Sequence, residues 1–359
     1  MIDFELTQEQ TIAQTTMRDF AQHMLRPIAR SSDTTSAISK EALDTLWSTG
    51  LIQLQGDGSK QRCSILNAVV LEELAAADAT LALAIATPAA FVQCLLDQGT
   101  PAQIEKYLPQ FDSESFEGAS IALLEPGLGS DVSRLKTKAI PNGDGWKLSG
   151  RKTMVPLATL ANHFLVIAQD YDQPQAFIVD CKASGVHVLE SVPTLGLRGL
   201  GMADVIFDEV QLSPEQRLGQ TNGSDVQRII DASRIGLTAI MTGLSRGLME
   251  YVIPYAKERV VHGTALARKQ SIAFRIADMH IDVSAMRLMG WRAAFALANS
   301  QDTTRVAQLA YTYAARQTML IADDGLQIFG GHGYVREHPI EMWYRNARTV
   351  SMLEGLAGI

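Results

Sequence analysis

The sequence predicts an α+β protein, mostly α, in three consecutive parts: an N-terminal helical domain, a middle β-domain and a C-terminal helical bundle. Three observations carry this prediction. Apolar residues recur at helical spacing through residues 1–118. Short apolar runs bounded by Gly, Asn, Asp and Pro fill residues 119–222. The helical period then returns over residues 223–359. With 359 residues, 47% hydrophobic and 19% charged, the chain has ample material for buried cores.

In the first part, Thr7-Gln8-Glu9-Gln10 has the form of a capping box, and Phe20, Met24 and Ile28 follow at helical spacing. Ser39 is placed to cap a helix carrying Leu43, Leu46 and Leu51. The Ala/Leu segment from Ile65 towards Leu96 reads as tightly packed, buried helices. Pro101 suits the first turn of a short helix ending near Leu108. In the middle part, Trp146-Lys147-Leu148 alternates. Phe164–Ile167, Phe177–Val179, Val186–Val188 and Val205–Phe207 read as strands. Pro141-Asn142-Gly143, Asp144-Gly145, Ser184-Gly185 and Asn222-Gly223 punctuate them as turns. In the last part, apolar residues from Val226 to Tyr255 define one long amphipathic helix, followed by helices from about Ala265 to Asn299 and from about Asp302 to Phe329. Helices of this length stabilise one another by packing, and pockets favour the junctions between domains.

Composition narrows the function. Lys and Arg number 31 against 39 Asp and Glu, a net charge of −8, which argues against a nucleic-acid partner. Cys63, Cys94 and Cys181 show no CxxC spacing, so neither a disulfide framework nor a metal site is expected. The most apolar stretch, Leu81 to Val92, is interrupted by Thr87 and Pro88 and falls short of the ~18 residues of a membrane span. Met1 to Leu6 lacks the basic start and apolar run of a signal peptide. The expectation is a cytoplasmic protein with reduced cysteines and no membrane contact.

Five segments are candidates for chemistry. Leu123 to Val132, with Glu125-Pro126-Gly127-Leu128-Gly129-Ser130-Asp131 at its centre, is a Gly/Pro turn; its backbone N–H groups suit an anion or a heterocycle edge. It is neither a P-loop nor a dinucleotide fingerprint. Gly196-Leu197-Arg198-Gly199 leads into the strand Asp204 to Val210. Glu258-Arg259, followed by His262 and Gly263, closes the long helix, where Arg259 is either a phosphate partner or a solvated helix end. Gln327-Ile328-Phe329-Gly330-Gly331-His332-Gly333-Tyr334 ends another helix in glycines that admit a close neighbour or ligand. Tyr344 to Arg348 precedes Leu353-Glu354-Gly355, a carboxylate after an apolar run.

Together and in this order, these segments resemble the acyl-CoA dehydrogenase family, over about Phe4 to Glu354. The resemblance implies an N-terminal helical domain, a middle β-domain and a C-terminal four-helix bundle, with FAD between the last two. It implies α,β-desaturation of an acyl-CoA thioester, a carboxylate taking the proton beside the carbonyl while hydride passes to the flavin. Two hydrogen bonds to the thioester oxygen, one from the base's own N–H, would stabilise the developing enolate, and a dry cavity would raise the pKa of the base. Glu354 aligns with the usual base. Ser233 stands where some relatives carry it instead and cannot serve. Arg234 matches a substrate-proximal arginine, with an ion pair to Asp231 as its structural alternative. Leu353, Gly355 and Ser130 are the other substrate-side positions. Leu124, Gly129, Ser130, Met154, Pro156, His262, Gly330 and Gly331 fall at cofactor positions. Arg259 and Gln327 match residues that reach the FAD phosphates of a neighbouring subunit, which implies a dimer or tetramer.

The pattern is broken in places. Leu124 replaces a usual threonine, Met154-Val155-Pro156 replaces Trp-x-Thr/Ser, Leu200 and Met202 replace small hydroxylated residues, His262 replaces an aromatic, and Glu354-Gly355-Leu356 replaces Glu-Gly-Thr. The helix that normally follows is not seen before Ile359. Each lost hydrogen bond is worth about 1 kcal/mol. Two main expectations result: an FAD enzyme, homo-oligomeric, passing electrons to an electron-transfer flavoprotein or similar acceptor; or a flavin-poor, half-site subunit of a hetero-oligomer. An oxygenase on the same scaffold is a third, opposed by Glu354. Ala84 to Phe91 and Leu353 are expected to line the acyl cavity, and Arg134 and Lys136 to meet the coenzyme A phosphates.

Overall fold

The computed structural model describes residues 5–53, 63–127, 134–355 and 357–359. Helix α1 (Gln8–Phe20) opens on the expected capping box, the Thr7 hydroxyl accepting from Gln10 N–H and the Gln10 side chain from Thr7 N–H. A π-helical turn over Ala21–Leu25 leads into α2 (Arg26–Thr35), and Ser39 caps α3 (Lys40–Trp47). The Ala/Leu segment divides into α4 (Ser64–Ala77) and α5 (Ala79–Gln98) at Asp78, whose carboxylate caps α5 by accepting from Leu81 N–H at 2.9 Å. Helix α5 continues through Pro88; it is long and apolar enough to cross a membrane, yet it is buried in the core. Helix α6 (Pro101–Tyr107) starts at the proline, under a second capping box from Thr100.

The sheet comprises β1 (Gly118–Ala122), β2 (Lys138–Asn142), β3 (Gly145–Val155), β4 (Ala161–Asp170), β5 (Gln173–Asp180), β6 (Val186–Ser191) and β7 (Ala203–Leu212). Its order is β1-β4-β2-β3-β7-β6, with β5 paired antiparallel to β4. Pro141 and Asn142, expected in a turn, extend β2 opposite Trp146 and Gly145, and the hairpin turns at Gly143-Asp144. The continuous apolar runs have a physical reason. Along β4, Leu165 and Ile167 face the helices, while Phe164, Val166 and Ala168 face a second core beneath the sheet; β5 splits Ile178 from Phe177 and Val179 in the same way.

Helix α7 (Val226–Glu258) is the axis of the last part, and α8 (Gln270–Ala298), α9 (Thr304–Phe329) and the short α10 (Ile340–Val350) follow. A hairpin of β8 (Val260–Val261) and β9 (Thr264–Ala265) joins α7 to α8. Gly243 and Gly247 let α7 approach α4: a Cβ on either would lie 2.2 Å from the Glu72 carbonyl oxygen or 2.1 Å from that of Ala76. Across this seam Arg246 donates to Glu72 at 3.0 Å and to Glu73 at 2.5 Å, and Arg287 donates to Glu72 at 2.7 Å. Pairing and hydrogen bonding offset the cost of burying these charges.

Burial pushes the Asp78 carboxyl up to about 6 from 3.8, against the bonds it accepts from Leu81 and Thr80. The folded chain therefore holds this proton longer than the unfolded chain. Its contribution to stability falls as pH rises from about 4 to 6 and stays at its lower level above that. Asp78→Asn keeps a capping acceptor and cannot ionise. Urea denaturation at a series of pH values should show a decline over that window smaller by about 2 kcal/mol in the variant.

Candidate active site

The carboxyl-terminal turn is placed by α10, and α10 is bolted to the β-domain. Asn346 Oδ1 accepts from Leu197 N–H at 2.8 Å, and Thr349 Oγ1 accepts from Gly196 N–H at 3.0 Å. A Cβ on Gly196 would lie 2.2 Å from the Arg345 carbonyl oxygen, which explains the glycine. On the opposite side, Arg345 donates to both oxygens of Asp33, at 2.8 and 2.7 Å.

Beyond α10 the chain enters an irregular turn, fixed at three consecutive residues. The Leu353 carbonyl accepts from the Tyr311 hydroxyl, Glu354 Oε1 accepts from Arg234 Nε, and Gly355 N–H donates to Ser233 Oγ, each at 2.8 Å. Gly355 has φ +78°, and a Cβ there would lie 3.0 Å from the Leu123 side chain. The Glu354 side chain is 12% exposed and faces a cleft of about 830 Å³ between the β-domain and the bundle. Asp231 lies 4.0 Å from Arg234 but is also bonded by Gln227, Thr303 and Thr304, so the shorter bond of Arg234 is the one to Glu354. The Tyr311 hydroxyl is pushed well above its ordinary range by burial and then by the Glu354 charge, with Arg234 opposing.

The β-domain wall carries Leu124, Glu125, Thr153 and Met154. Thr153 N–H donates to the Leu124 carbonyl at 2.9 Å, and its hydroxyl donates to Asp204 at 2.6 Å. Met154, with φ +54°, sits where the β3–β7 register shifts, and this bulge aims its side chain into the cleft. Behind this wall Lys152 is fully buried, donating to the Leu123 carbonyl at 3.1 Å and to Glu125 at 2.9 Å. Burial lowers the Lys152 ammonium to about 8, against the pull of Glu125. Burial also opposes ionisation of Glu125, but the Lys152 charge and the N–H groups of Lys136 and Thr137 prevail and hold it below the usual carboxylate range.

A second cavity, of about 640 Å³, gathers Arg259, Gln327, Gly330 and Gly331 with Tyr255 and His332. Added Cβ atoms on Gly330 and Gly331 would meet nothing within 4 Å, so that backbone lies open.

The predicted residues thus fall into two groups. Leu124, Met154, Arg234, Leu353 and Glu354 meet in the cleft, with Gly355 buried behind them. Arg259, Gln327, Gly330 and Gly331 meet in the second cavity. Gly129 and Ser130 lie outside the described residues. Three groups of expected residues lie away from these two cavities. Pro156 is buried and lines neither cavity, because the chain turns inward after the Met154 bulge; its carbonyl accepts from the Ser120 hydroxyl at 2.5 Å. His262 is exposed at the tip of the β8–β9 hairpin, where it and Gly263 have φ +52° and +74°, and lines neither cavity. Ala84 to Phe91 are core residues of α5 and do not line the cleft. Sequence reading missed Thr153, Thr194, Tyr311 and Thr349 in the lining and Lys152 behind it. Only Lys152 had a usable signal, since strand alternation sets it on the face opposite Arg151.

The sheet and the bundle enclose a cleft in which the Glu354 carboxylate faces the sheet wall, and the N-terminal helices lie outside its lining. The chain belongs to the acyl-CoA dehydrogenase family: residues 7–114, 120–210 and 223–359 match its N-terminal, middle and C-terminal domains. It is 32% identical to caffeyl-CoA reductase-Etf complex subunit CarC of Acetobacterium woodii, over 95% of this chain and 93% of that one. It is 29% identical to cyclohexane-1-carbonyl-CoA dehydrogenase of Geobacter metallireducens, over 98% and 95%. The structure of butyryl-CoA dehydrogenase from Megasphaera elsdenii superposes with a TM-score of 0.89 at 28% identity, covering 99% of this chain and 96% of that one.

Gly355→Ala places a side chain in the left-handed region and against Leu123. Chemical denaturation should show a loss of about 1–3 kcal/mol in unfolding free energy.

Proposed function

We propose that this chain is an FAD-dependent acyl-CoA dehydrogenase that interconverts an acyl-CoA thioester and its α,β-unsaturated form, with Glu354 as the base. The observation that carries this reading is the Glu354 carboxylate, set in the cleft wall by Arg234 opposite Leu124 and Met154. The cleft suits the cofactor: it combines apolar side chains with the hydroxyl groups of Thr153, Thr194 and Thr349, and the second cavity adds the Arg259 cation, the Gln327 amide and an open glycine backbone. When bound, FAD supplies the acceptor for the hydride that leaves the β-carbon. Glu354 takes the α-proton, and the chain holds that proton on a carboxyl oxygen. Leu124, Met154 and Leu353 exclude water, which strengthens every polar contact in the cleft. In the opposite direction a protonated Glu354 returns the proton to the α-carbon. The reductase and dehydrogenase names among the relatives support a site suited to both directions. Arg134 and Lys136, exposed on the β-domain rim, are the cations for coenzyme A.

The electron partner in this reading is an electron-transfer flavoprotein or a similar carrier, which the Etf complex in the name of one relative supports. The assembly is a homo-oligomer in which Arg259 and Gln327 complete a neighbour's cofactor site. An unpartnered stripe on α8, Phe274, Ile281, Leu288 and Phe295, supports this: the four residues are seven apart and 42–62% exposed. Leu124 and Pro156, where the family pattern has a threonine and a hydroxylated residue, favour a second reading, a half-site subunit that gains FAD only beside a related chain.

Glu354→Gln should lower thioester-driven flavin bleaching by at least about 10³-fold with FAD content unchanged, as anaerobic stopped-flow absorbance would show. Replacing Phe274 and Leu288 by Lys should shift the assembly towards monomer in sedimentation velocity and reduce the bound FAD.

A further inference from the structure

Few regular bonds shape the turn that carries Glu354. After α10, the Leu353 N–H reaches only the Val350 carbonyl, at 3.4 Å, and Gly355 reverses the chain at a positive φ. Its position is set instead by side chains from two other helices. Ser233 on α7 and Tyr311 on α9 are 1% and 9% exposed, and each spends its hydroxyl on the main chain of this turn. The two bonds fall on the residues immediately before and after Glu354, from different helices. Neither touches its carboxylate, which Arg234 engages separately.

We infer that Ser233 and Tyr311 are positioning residues for the base: two buried hydroxyls that clamp the flanking backbone of Glu354 and so fix where its carboxylate meets the α-carbon. The inference rests on the assignment of Glu354 as base. The physical reason is leverage. A glutamate carboxylate, three rotatable bonds from its Cα, is aimed only as well as its backbone is held, and a misplacement of about 1 Å costs on the order of 10²-fold in rate. The bland reading, that both hydroxyls merely satisfy buried polar groups, predicts altered stability but an unaltered chemical step. Ser233 thereby has a task at a position from which it cannot act as base.

The test uses the FAD-loaded protein and the variants Ser233→Ala, Tyr311→Phe, their double, Ser233→Thr and Glu354→Gln. Hydrogen–deuterium exchange of the peptide covering 351–359 should speed up in Ser233→Ala and in the double variant, and return towards the parent rate in Ser233→Thr. Flavin bleaching by an acyl-CoA should slow about 10-fold in each single variant and more in the double, with KM and FAD content held. The α-deuterium isotope effect should rise, because proton abstraction becomes more fully rate-limiting; Ser233→Thr should recover most of the rate. A double variant that bleaches and exchanges at the parent rates overturns the clamp. If Glu354→Gln is inactive in the same series, that failure belongs to the clamp alone; if Glu354→Gln retains full activity, the base assignment itself fails and the clamp with it.

Discussion

The proposed chemistry of this protein depends on holding one short turn, Leu353 to Gly355, which packs between the β-domain and the bundle. A carboxylate on a free loop would sample many orientations, and the entropy of fixing it would be charged to every turnover. Here that entropy is removed during folding. Helix α10 is tied to the β-domain at Gly196 and Leu197 and to the N-terminal helices at Asp33. The turn that follows is then bonded to α7 and α9 and packed on Leu123 at the end of β1. The cleft lies between the β-domain and the bundle, and the N-terminal helices brace it through α10.

Charge in and around the cleft is arranged in two pairs with different roles. Lys152 and Glu125 are held behind and beside the sheet wall, with Glu125 kept ionised by the buried ammonium and by main-chain donors. That pair fixes the Leu123–Glu125 ribbon, and hence the backbone against which a planar ligand would rest. Arg234 and Glu354 form the second pair on the opposite wall, where the guanidinium orients the carboxylate. The lining between them mixes apolar side chains, Leu124, Met154 and Leu353, with the threonines Thr153, Thr194 and Thr349.

Much of this was legible in the sequence, for identifiable reasons. One-sided burial leaves a 3.6-residue period along α9, whereas α7, expected to bury one broad face, is buried on nearly every side from Ile229 to Met249; the caps at Thr7 and Ser39 have local chemistry that needs no tertiary context. Strand β1 was missed because Gly-Ala-Ser-Ile-Ala is buried on both faces and so has no alternation to read. The break at Asp78 was hidden in an unbroken Ala/Leu pattern, since capping there depends on a buried carboxylate. At the site, Glu354 and Arg234 could be singled out from motifs, but Tyr311 could not: it is one tyrosine on an amphipathic helix, and only the packing of α9 on the final turn gives its hydroxyl a task. Pro156 and His262 lie away from the two cavities for a related reason. A bulge at Met154 and a tight hairpin at His262-Gly263 redirect the chain, and both are backbone events that residue types signal weakly.

The account stands most directly on whether the isolated chain holds FAD in the cleft that Glu354 faces. Titration of FAD into the purified protein, followed by anaerobic addition of acyl-CoA thioesters, measures this in a single cuvette. The account predicts saturation at one FAD per chain and loss of the visible flavin absorbance when a suitable thioester is added. A protein that stays colourless at saturating FAD, or that holds FAD yet is bleached by no thioester, would contradict it.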